Sequence, residues 1–357
     1  MRIAFDGRAL TSPAGGVRRY TRELFAALAR IAPGVDIIAI GADPATPLPP
    51  GVRRAGSGVS LPTNLGWNLT GLPLAARRVV FDVFHAPAYT APLWGARPLV
   101  VSLHDVSYAR HSEWYPHRID PVREAFYRAS AQRADRILTC SSFSRDEIAS
   151  AYRIDPGRID VVPLGVGRQF SPDARLGREA VVLHVGDLHP RRNLAMLLEV
   201  VMSLKRSEPS CRGLRLMLAG ADLGGLAPLL RQSAGNEDAL EYLGRPDDAA
   251  LVDLYRRAGV FAYPSRYEGF GLPLLEAMAT GTPVVAAAAA SVPEVVGTAG
   301  ILLDVDDVSG WQSALASVLT DSGRAGGLAT RGLARAAGFT WERTAEETLS
   351  CYRRTLA

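Results

Sequence analysis

VFAYPSRYEGFGLPLLEAMATGTPVV, residues 260 to 285, reads as a strand, a glycine-rich loop, a helix and the start of a second strand. The run VFAY stops at Pro264, and Pro273 suits the first turn of the following helix, where its missing N–H costs nothing. Two apolar strands joined through a helix run parallel, and such sheets are covered on both faces. Gly269 and Gly271 open backbone conformations closed to other residues and admit a ligand close to the main chain. The amides of Gly269, Phe270, Gly271 and Leu272 then act as donors near the positive end of a helix dipole, which suits a diphosphate or sugar hydroxyls. Glu276, on the same helix, projects toward that ligand, since a carboxylate grips vicinal hydroxyls by accepting two hydrogen bonds. A glycine-rich turn with a capping glutamate is the plainer reading of the stretch by itself.

The same alternation extends in both directions. MRIAFDGR, DIIAIGAD, VFDVFHAP, PLVVSLHD, RILTCSSFS and RIDVVPLGV are strand-like runs with helical stretches such as 18–32 and 122–134 between them. In SSFSRDEIASAY, Ser144 as N-cap with Glu147 three residues on is the expected capping box. After the connector VVPLGVGRQFSPDARLG the pattern restarts with AVVLHVGDL, LRLMLAGA, ALEYLGR, VFAYPS, TPVVAAAA and ILLDV. The expected fold class is α/β, with two Rossmann-like parallel domains: residues 1–170, residues 171–339, and a terminal helix at 340–357 able to pack back on the first. Ligands of such sheets bind outside the C-terminal strand ends, so a cleft between the domains is the expected site.

Composition narrows the classes. With 357 residues, 48% hydrophobic and 21% charged, the chain is long enough for two cores and lacks the polar bias of disorder. No apolar run approaches the roughly 20 residues that span a bilayer, and no signal-peptide core follows Met1, so the expected address is the cytoplasm. The three cysteines are too scattered for a disulfide framework or a metal site. Residues 1–170 hold 21 arginines against 14 Asp and Glu, a balance of +7, which leaves −3 for the rest of the net +4. A basic first half is either a solvated face or an attraction to an anionic membrane surface or a phosphate-bearing acceptor. Nucleic acid is not an expected partner, because no recognised nucleic-acid motif is present.

Taken together, the motifs carry a family resemblance. EGFGLPLLEAMATGTPVV, with Glu268 and Glu276 in E-x7-E spacing, resembles the donor signature of the GT-B glycosyltransferases of family 4, which retain anomeric configuration. AGGVRRYTREL (14–24), SLHD (102–105), CSSFSRDEI (140–148), VVPLGV (161–166), VGDLHPRRNL (185–194) and VPEVVGTAGILLD (292–304) extend the likeness over nearly the whole chain.

The resemblance implies that Glu268 lies beside the donor sugar and Glu276 holds the ribose hydroxyls. It places the amides of Phe270, Gly271 and Leu272 on sugar hydroxyls and phosphate, and Gly15 and Gly16 in a loop approaching the donor phosphates. Arg192 stands where the family usually has lysine and would stabilise the leaving diphosphate as charge builds on it. Asp187 stands where many members have arginine, so the usual cationic pair is incomplete, with Arg191, Arg266 or the first domain as alternative sources of charge. His104, ending a strand in SLHD, resembles the histidine near the reacting sugar, with Asp105 placed to fix its ring or to contact the acceptor. Arg245 lies where base-contacting loops occur, Glu294 is a supporting candidate, and His85 reads as structural.

The implied activity is a retaining hexosyltransferase that moves a sugar, mannosyl from GDP-mannose as first choice, from a nucleoside diphosphate sugar to a glycan or lipid-linked glycan. The setting implied is surface polysaccharide biosynthesis, with peripheral contact at the inner face of the cytoplasmic membrane. Neither a cofactor nor a metal is expected; the DVD at 304–306 reads as a surface turn. A sugar-nucleotide epimerase or hydrolase on the same fold, and a non-catalytic sugar-nucleotide-binding subunit, are the competing readings.

Overall fold

The computed structural model describes residues 1–56, 61, 63–115 and 121–357. The chain divides into two compact units, residues 1–165 with 340–357, and residues 166–339, so the division falls at 165/166 and not at 170/171. In the first unit the strands are β1 (Arg2–Asp6), β2 (Asp36–Ile40), β3 (Val52–Ala55), β4 (Val83–Ala86), β5 (Leu99–Ser102), β6 (Arg136–Thr139) and β7 (Ile159–Val161). In the second they are β8 (Glu179–Val185), β9 (Arg215–Ala219), β10 (Leu240–Tyr242), β11 (Ala258–Tyr263), β12 (Val284–Ala287) and β13 (Ile301–Leu303).

Among the described residues every strand pairing is parallel, in the orders β3-β2-β1-β4-β5-β6-β7 and β10-β9-β8-β11-β12-β13. Both contain the doubly wound order, in which the chain crosses back after the third strand of the unit so that the strand order reverses between the first and the fourth. That reversal opens a crevice at the C-terminal ends of β1 and β4, and again at those of β8 and β11. The strands read as unbroken apolar runs because helices cover both faces: Ile3, Ile38, Phe84, Val101 and Ile137 in one sheet, and Val182, Leu216, Val260 and Val285 in the other, are completely buried.

Two local features carried no sequence expectation, and a third differs from the one stated. β3 is an edge strand carrying Arg53 and Arg54, charges that mask its strand character and blunt an exposed edge. Arg53 pairs with Asp36 on the neighbouring strand at 2.7 Å. The residues 64–76 form a helix with a π turn at Trp67–Gly71. Finally, the helix Ser142–Tyr152 is capped by Ser141 and not by Ser144: Ser141 Oγ accepts from the Ser144 amide at 3.0 Å, while Glu147 pairs with Arg110.

The last helix, Trp341–Leu356, returns to the first unit and lies along the helix Gly15–Ile31. Thr344 Oγ1 donates to the Pro163 carbonyl, Arg354 pairs with Asp160, and Arg30 with Glu342. Because Ser141 is the cap of Ser142–Tyr152, Ser141→Ala should lower unfolding free energy by about 1 kcal/mol, whereas Glu147→Gln should change it by less than about 0.5 kcal/mol. Chemical denaturation of the two variants checks this.

Candidate functional site

In the second unit the crevice between β8 and β11 is closed by a buried ion pair. The chain leaves β8 at Gly186, makes a short turn over Pro190–Arg192, and enters the helix Leu194–Ser207 through Asn193 in the left-handed conformation. Arg192 is only 8% exposed, and its guanidinium lies against Gly186, where an added Cβ would sit 3.2 Å from Cζ. A side chain at 186 would crowd the guanidinium by a few tenths of an ångström, and the φ of 149° there also favours glycine.

From the β11 side come three partners. Arg192 Nη1 donates to the Glu268 carboxylate and, at 2.5 Å, to the Tyr263 hydroxyl, and the Ser265 hydroxyl donates to the same Glu268 oxygen. Burial pushes the Glu268 carboxyl up, but the charges of Arg192 and Arg191 and the Ser265 hydrogen bond outweigh it and hold the group below the ordinary glutamate range. Glu268 is therefore an anion. Ser291 fixes its main chain by donating from Oγ to the Glu268 carbonyl at 2.8 Å.

His184, fully buried on β8 and stacked on Tyr263, completes the wall. Burial drives its pKa down to about 3, so the ring is neutral; Nδ1 donates to the Ala262 carbonyl, and Nε2 keeps its lone pair. His184 Nε2 and Arg192 Nε have no hydrogen-bond partner among the described residues. Beside the ion pair, one buried acceptor and one buried donor thus keep unspent hydrogen-bonding capacity among the described residues.

The glycine loop continues from Glu268. Gly271 is the N-cap of the helix Leu272–Ala279 at φ 99°, a conformation that favours glycine. Pro273 brings no N–H, and Leu274 N donates to the Gly271 carbonyl. The Leu272 amide has no acceptor within the helix, and the helix dipole is positive at this end. Glu276, one turn further, is 3% exposed and accepts from the Tyr255 hydroxyl at 2.9 Å.

Asp187 and Arg245 meet each other. Asp187 Oδ1 accepts from the Ala221 amide at 3.0 Å and from Arg245 Nη2 at 3.2 Å, so the carboxylate at 187 draws an arginine from beyond β10 onto the loop after β8. Arg266 is not a spare cation: it pairs with Asp306, and the same pair engages one carboxylate of the DVD turn. Glu294 is exposed on a short helix, and it is Ser291, just before that helix, that touches Glu268.

In the first unit, His104 follows β5. Its Nε2 donates to the Pro87 carbonyl at 3.3 Å, which leaves Nδ1 as an acceptor, and burial lowers its pKa below the ordinary histidine value. The Asp105 carboxylate accepts from the amide and hydroxyl of Ser107 through Oδ1, and its charge raises the His104 pKa against the effect of burial. The His104 carbonyl is held by Cys140 Sγ and Ser144 Oγ. Gly15 and Gly16 begin the helix Gly15–Ile31, whose N-cap Ala14 offers no side-chain acceptor; both are exposed, and the space above Gly16 is open.

A cavity of about 790 Å³ opens at the C-terminal ends of β1 to β4 and was not foreseen from the sequence. Asp6 lies at its floor, accepting from Trp67 Nε1 and the Arg8 amide, each at 3.1 Å, while the Arg8 guanidinium covers the Trp67 ring at 4.0 Å. Trp67 is fully buried between Gly41 and Gly71, where added Cβ atoms would lie 2.3 and 2.5 Å from its ring. Asp6 ends the run RIAFD, and a carboxylate closing an apolar strand was the available signal.

Two doubly wound parallel units, each with its polar groups gathered at strand C-termini, define the GT-B class of transferases. The second unit matches the family model for glycosyl transferases group 1 over residues 179–321, and the first matches the model for glycosyltransferase family 4 over residues 14–170. The chain is 32% identical over 286 residues to the O-antigen chain mannosyltransferase B of Escherichia coli, covering 76% of this chain and 74% of that protein. A D-inositol 3-phosphate glycosyltransferase of Segniliparus rotundus is 34% identical over 240 residues, and there the alignment covers 62% of this chain and only about half, 53%, of the relative's length. Among solved structures, the sucrose-phosphate synthase of Thermosynechococcus elongatus superposes with a TM-score of 0.78 at 24% identity, covering 99% of this chain and 98% of that one. Anabaena Alr3699/HepE, solved with UDP and glucose, gives 0.73 at 19% identity, covering 98% and 99%. The chain belongs to glycosyltransferase family 4, and it is a glycosyltransferase.

Asp6 makes the stability of the first unit depend on pH. Burial raises its pKa from 3.8 to about 6 against the opposing hydrogen bonds of Trp67 and Arg8. The folded chain therefore holds the proton more tightly, a contribution to stability that is complete below about pH 4 and lost as pH rises through about 6. Asp6→Asn keeps the acceptor without the charge. Its stability relative to the parent should rise from near zero at pH 4 to roughly 3 kcal/mol at pH 7.5; a flat difference across that range contradicts the assignment.

Proposed function

We propose that the chain transfers a hexosyl unit, mannosyl by first preference, from a nucleoside diphosphate sugar to a hydroxyl of a glycan or lipid-linked glycan, with retention. The observation that carries this reading is the meeting of Arg192 and Glu268 across the β8–β11 crevice, beside a helix that begins at Gly271 with a usable amide at Leu272. Such a site offers an anion a fixed cation, a helix dipole and backbone donors at once. On this reading Arg192 and the helix start stabilise the departing diphosphate, and the phosphate oxygen released takes the acceptor proton as the new bond forms on the same face. The chain's own work is positioning and charge stabilisation.

The remaining residues divide the donor between them. Glu268, ionised and held by Ser265 and Arg192, accepts from sugar hydroxyls, while Glu276 accepts from the ribose. His104 presents a neutral Nδ1 lone pair to a hydroxyl of the reacting sugar. Arg245, anchored by Asp187, contacts the base or its adjoining phosphate, and the exposed amides at Gly15 and Gly16 are proposed as further donors to phosphate. The positive charge these arginines and helix starts provide makes a divalent metal unnecessary, and chelation is expected to leave turnover intact.

Support for a mannosyl donor comes from the Escherichia coli relative, whose name also motivates the polysaccharide setting; a UDP sugar is the alternative that the Anabaena complex keeps in the test. The acceptor is assigned to the cavity over Asp6, which is lined by carboxyl, amide and hydroxyl groups suited to a polyol. Exposed Leu65, Leu69 and Trp94 on the basic first unit suit work at the anionic inner face of the membrane. No helix among the described residues is long and apolar enough to cross a membrane.

The test is a panel of GDP-, UDP- and TDP-sugars, with calorimetric binding, release of nucleoside diphosphate and NMR of the product anomer. One nucleotide sugar should bind, its diphosphate should be released only with acceptor present, and Glu276→Ala should weaken binding by about tenfold or more. Release without acceptor would indicate a hydrolase, binding without turnover a sensor, and unchanged binding by Glu276→Ala a donor site elsewhere.

A further inference from the structure

We propose that Tyr352, on the C-terminal helix, is a positioning residue for His104 and acts through His85, Ser102 and Tyr20. The proposal rests on the reading of His104 as the group that meets the reacting sugar, and it concerns how that group is held.

Four polar side chains form one chain of hydrogen bonds through the core of the first unit. The Tyr352 hydroxyl bonds His85 Nδ1 at 2.6 Å, His85 Nε2 bonds Ser102 Oγ at 2.7 Å, and Ser102 Oγ bonds the Tyr20 hydroxyl at 2.7 Å. All four are buried: His85 and Tyr352 at 0% exposure, Ser102 at 1% and Tyr20 at 4%. The far end of the chain is the ring of Tyr20, which meets the His104 imidazole in a T-shaped contact with centroids 4.6 Å apart and planes at 80°.

The hydrogen count couples the two bonds of His85 to each other. Burial keeps His85 neutral, its pKa pushed down to about 3, so one ring nitrogen donates and the other accepts. Either Tyr352 donates to Nδ1 and Nε2–H donates to Ser102 Oγ, or Ser102 donates to Nε2 and Nδ1–H donates to the Tyr352 hydroxyl, and the Ser102 and Tyr20 hydroxyls share the last hydrogen bond. Losing one hydroxyl leaves its buried neighbour unsatisfied, and the strain passes along the chain. Phe, Val or Ala at these positions would fill comparable space without that liability, so apolar packing alone does not call for the network.

What the network fixes is one wall of the packing around His104, the Tyr20 ring. His104 is also held by Pro87 through Nε2, by Cys140 and Ser144 through its carbonyl, and by the Tyr89 ring at 5.9 Å. The titratable groups around it are Asp105, His85, Tyr20, Tyr89 and Cys140. The Tyr20 wall is the one anchored, through this line of hydrogen bonds, to a residue of the returning helix. That helix lies beyond the whole second unit in sequence, so residues 340–357 take part in building the site and do more than cover a sheet face.

The test uses the full chain and the isosteric variant Tyr352→Phe, with Tyr20→Phe at the other end of the line and His104→Ala as reference. The expected result for Tyr352→Phe is a loss in kcat of about threefold to thirtyfold, with donor KM within about twofold. The His104 Cε1–H resonance and its titration midpoint should also move, and the variant should cost nothing further in a His104→Ala background. An unmoved His104 resonance, or losses that multiply in the double variant, overturns the proposal. Should Tyr352→Phe fail to fold, Tyr20→Phe is measured by the same readouts, and the same outcomes support or overturn the proposal. Full turnover by His104→Ala would instead overturn the reading of His104, and the resonance arm, which needs no activity, still decides the positioning claim separately.

Discussion

A buried arginine is tolerable only where a carboxylate meets it, because an isolated charge in the interior costs far more than packing returns. Arg192 and Glu268 satisfy that condition across the crevice where the second sheet reverses direction. The pair ties the loop after β8 to the loop after β11, and nearly everything at the site follows from it. Gly186 leaves room for the guanidinium, Ser265 and Ser291 fix the glutamate from two sides, and the helix at Gly271 starts where the tied loop ends. Removing either charge would leave the other stranded, a loss of about 3 kcal/mol or more, so the pair is structural before any ligand arrives. Arg192 also keeps one buried donor, Nε, without a hydrogen-bond partner among the described residues.

The first unit solves a related problem with hydrogen bonds in place of charge. Its crevice after β1 and β4 holds Asp6, whose burial is compensated by Trp67 and the Arg8 amide, yet the carboxyl remains hard to ionise. A group that opposes stability at neutral pH suits a site whose ligand supplies the missing hydrogen bonds. Nearby, Pro87 both lines the cavity wall and, through its carbonyl, orients His104, so the two features share one segment of chain.

Much of this was legible in the sequence because parallel strands, buried on both faces, announce themselves as short apolar runs ending in glycine or polar turns. β3 escaped that reading, since an edge strand bearing Arg53 and Arg54 loses the apolar signal. The cap at Ser141 was displaced to Ser144 because SSFS offers several hydroxyls and only the backbone angles choose among them. Contacts were harder still. Arg192 and Glu268 were each picked out, but their union spans 76 residues and depends on strand order. Tyr352 and His85 are 267 residues apart, and no local pattern links them. Asp187 looked like a missing cation, whereas the fold uses it to hold one, Arg245.

The central claim is that the crevice tied by Arg192 and Glu268 receives the diphosphate of the donor. A crystal structure of the chain with a nucleoside diphosphate tests it most directly. Phosphate oxygens should then lie within hydrogen-bond distance of the Arg192 guanidinium and the Leu272 amide, with the ribose hydroxyls on Glu276. A nucleotide bound anywhere else, with Arg192 still bonded only to Glu268 and Tyr263, would contradict the claim.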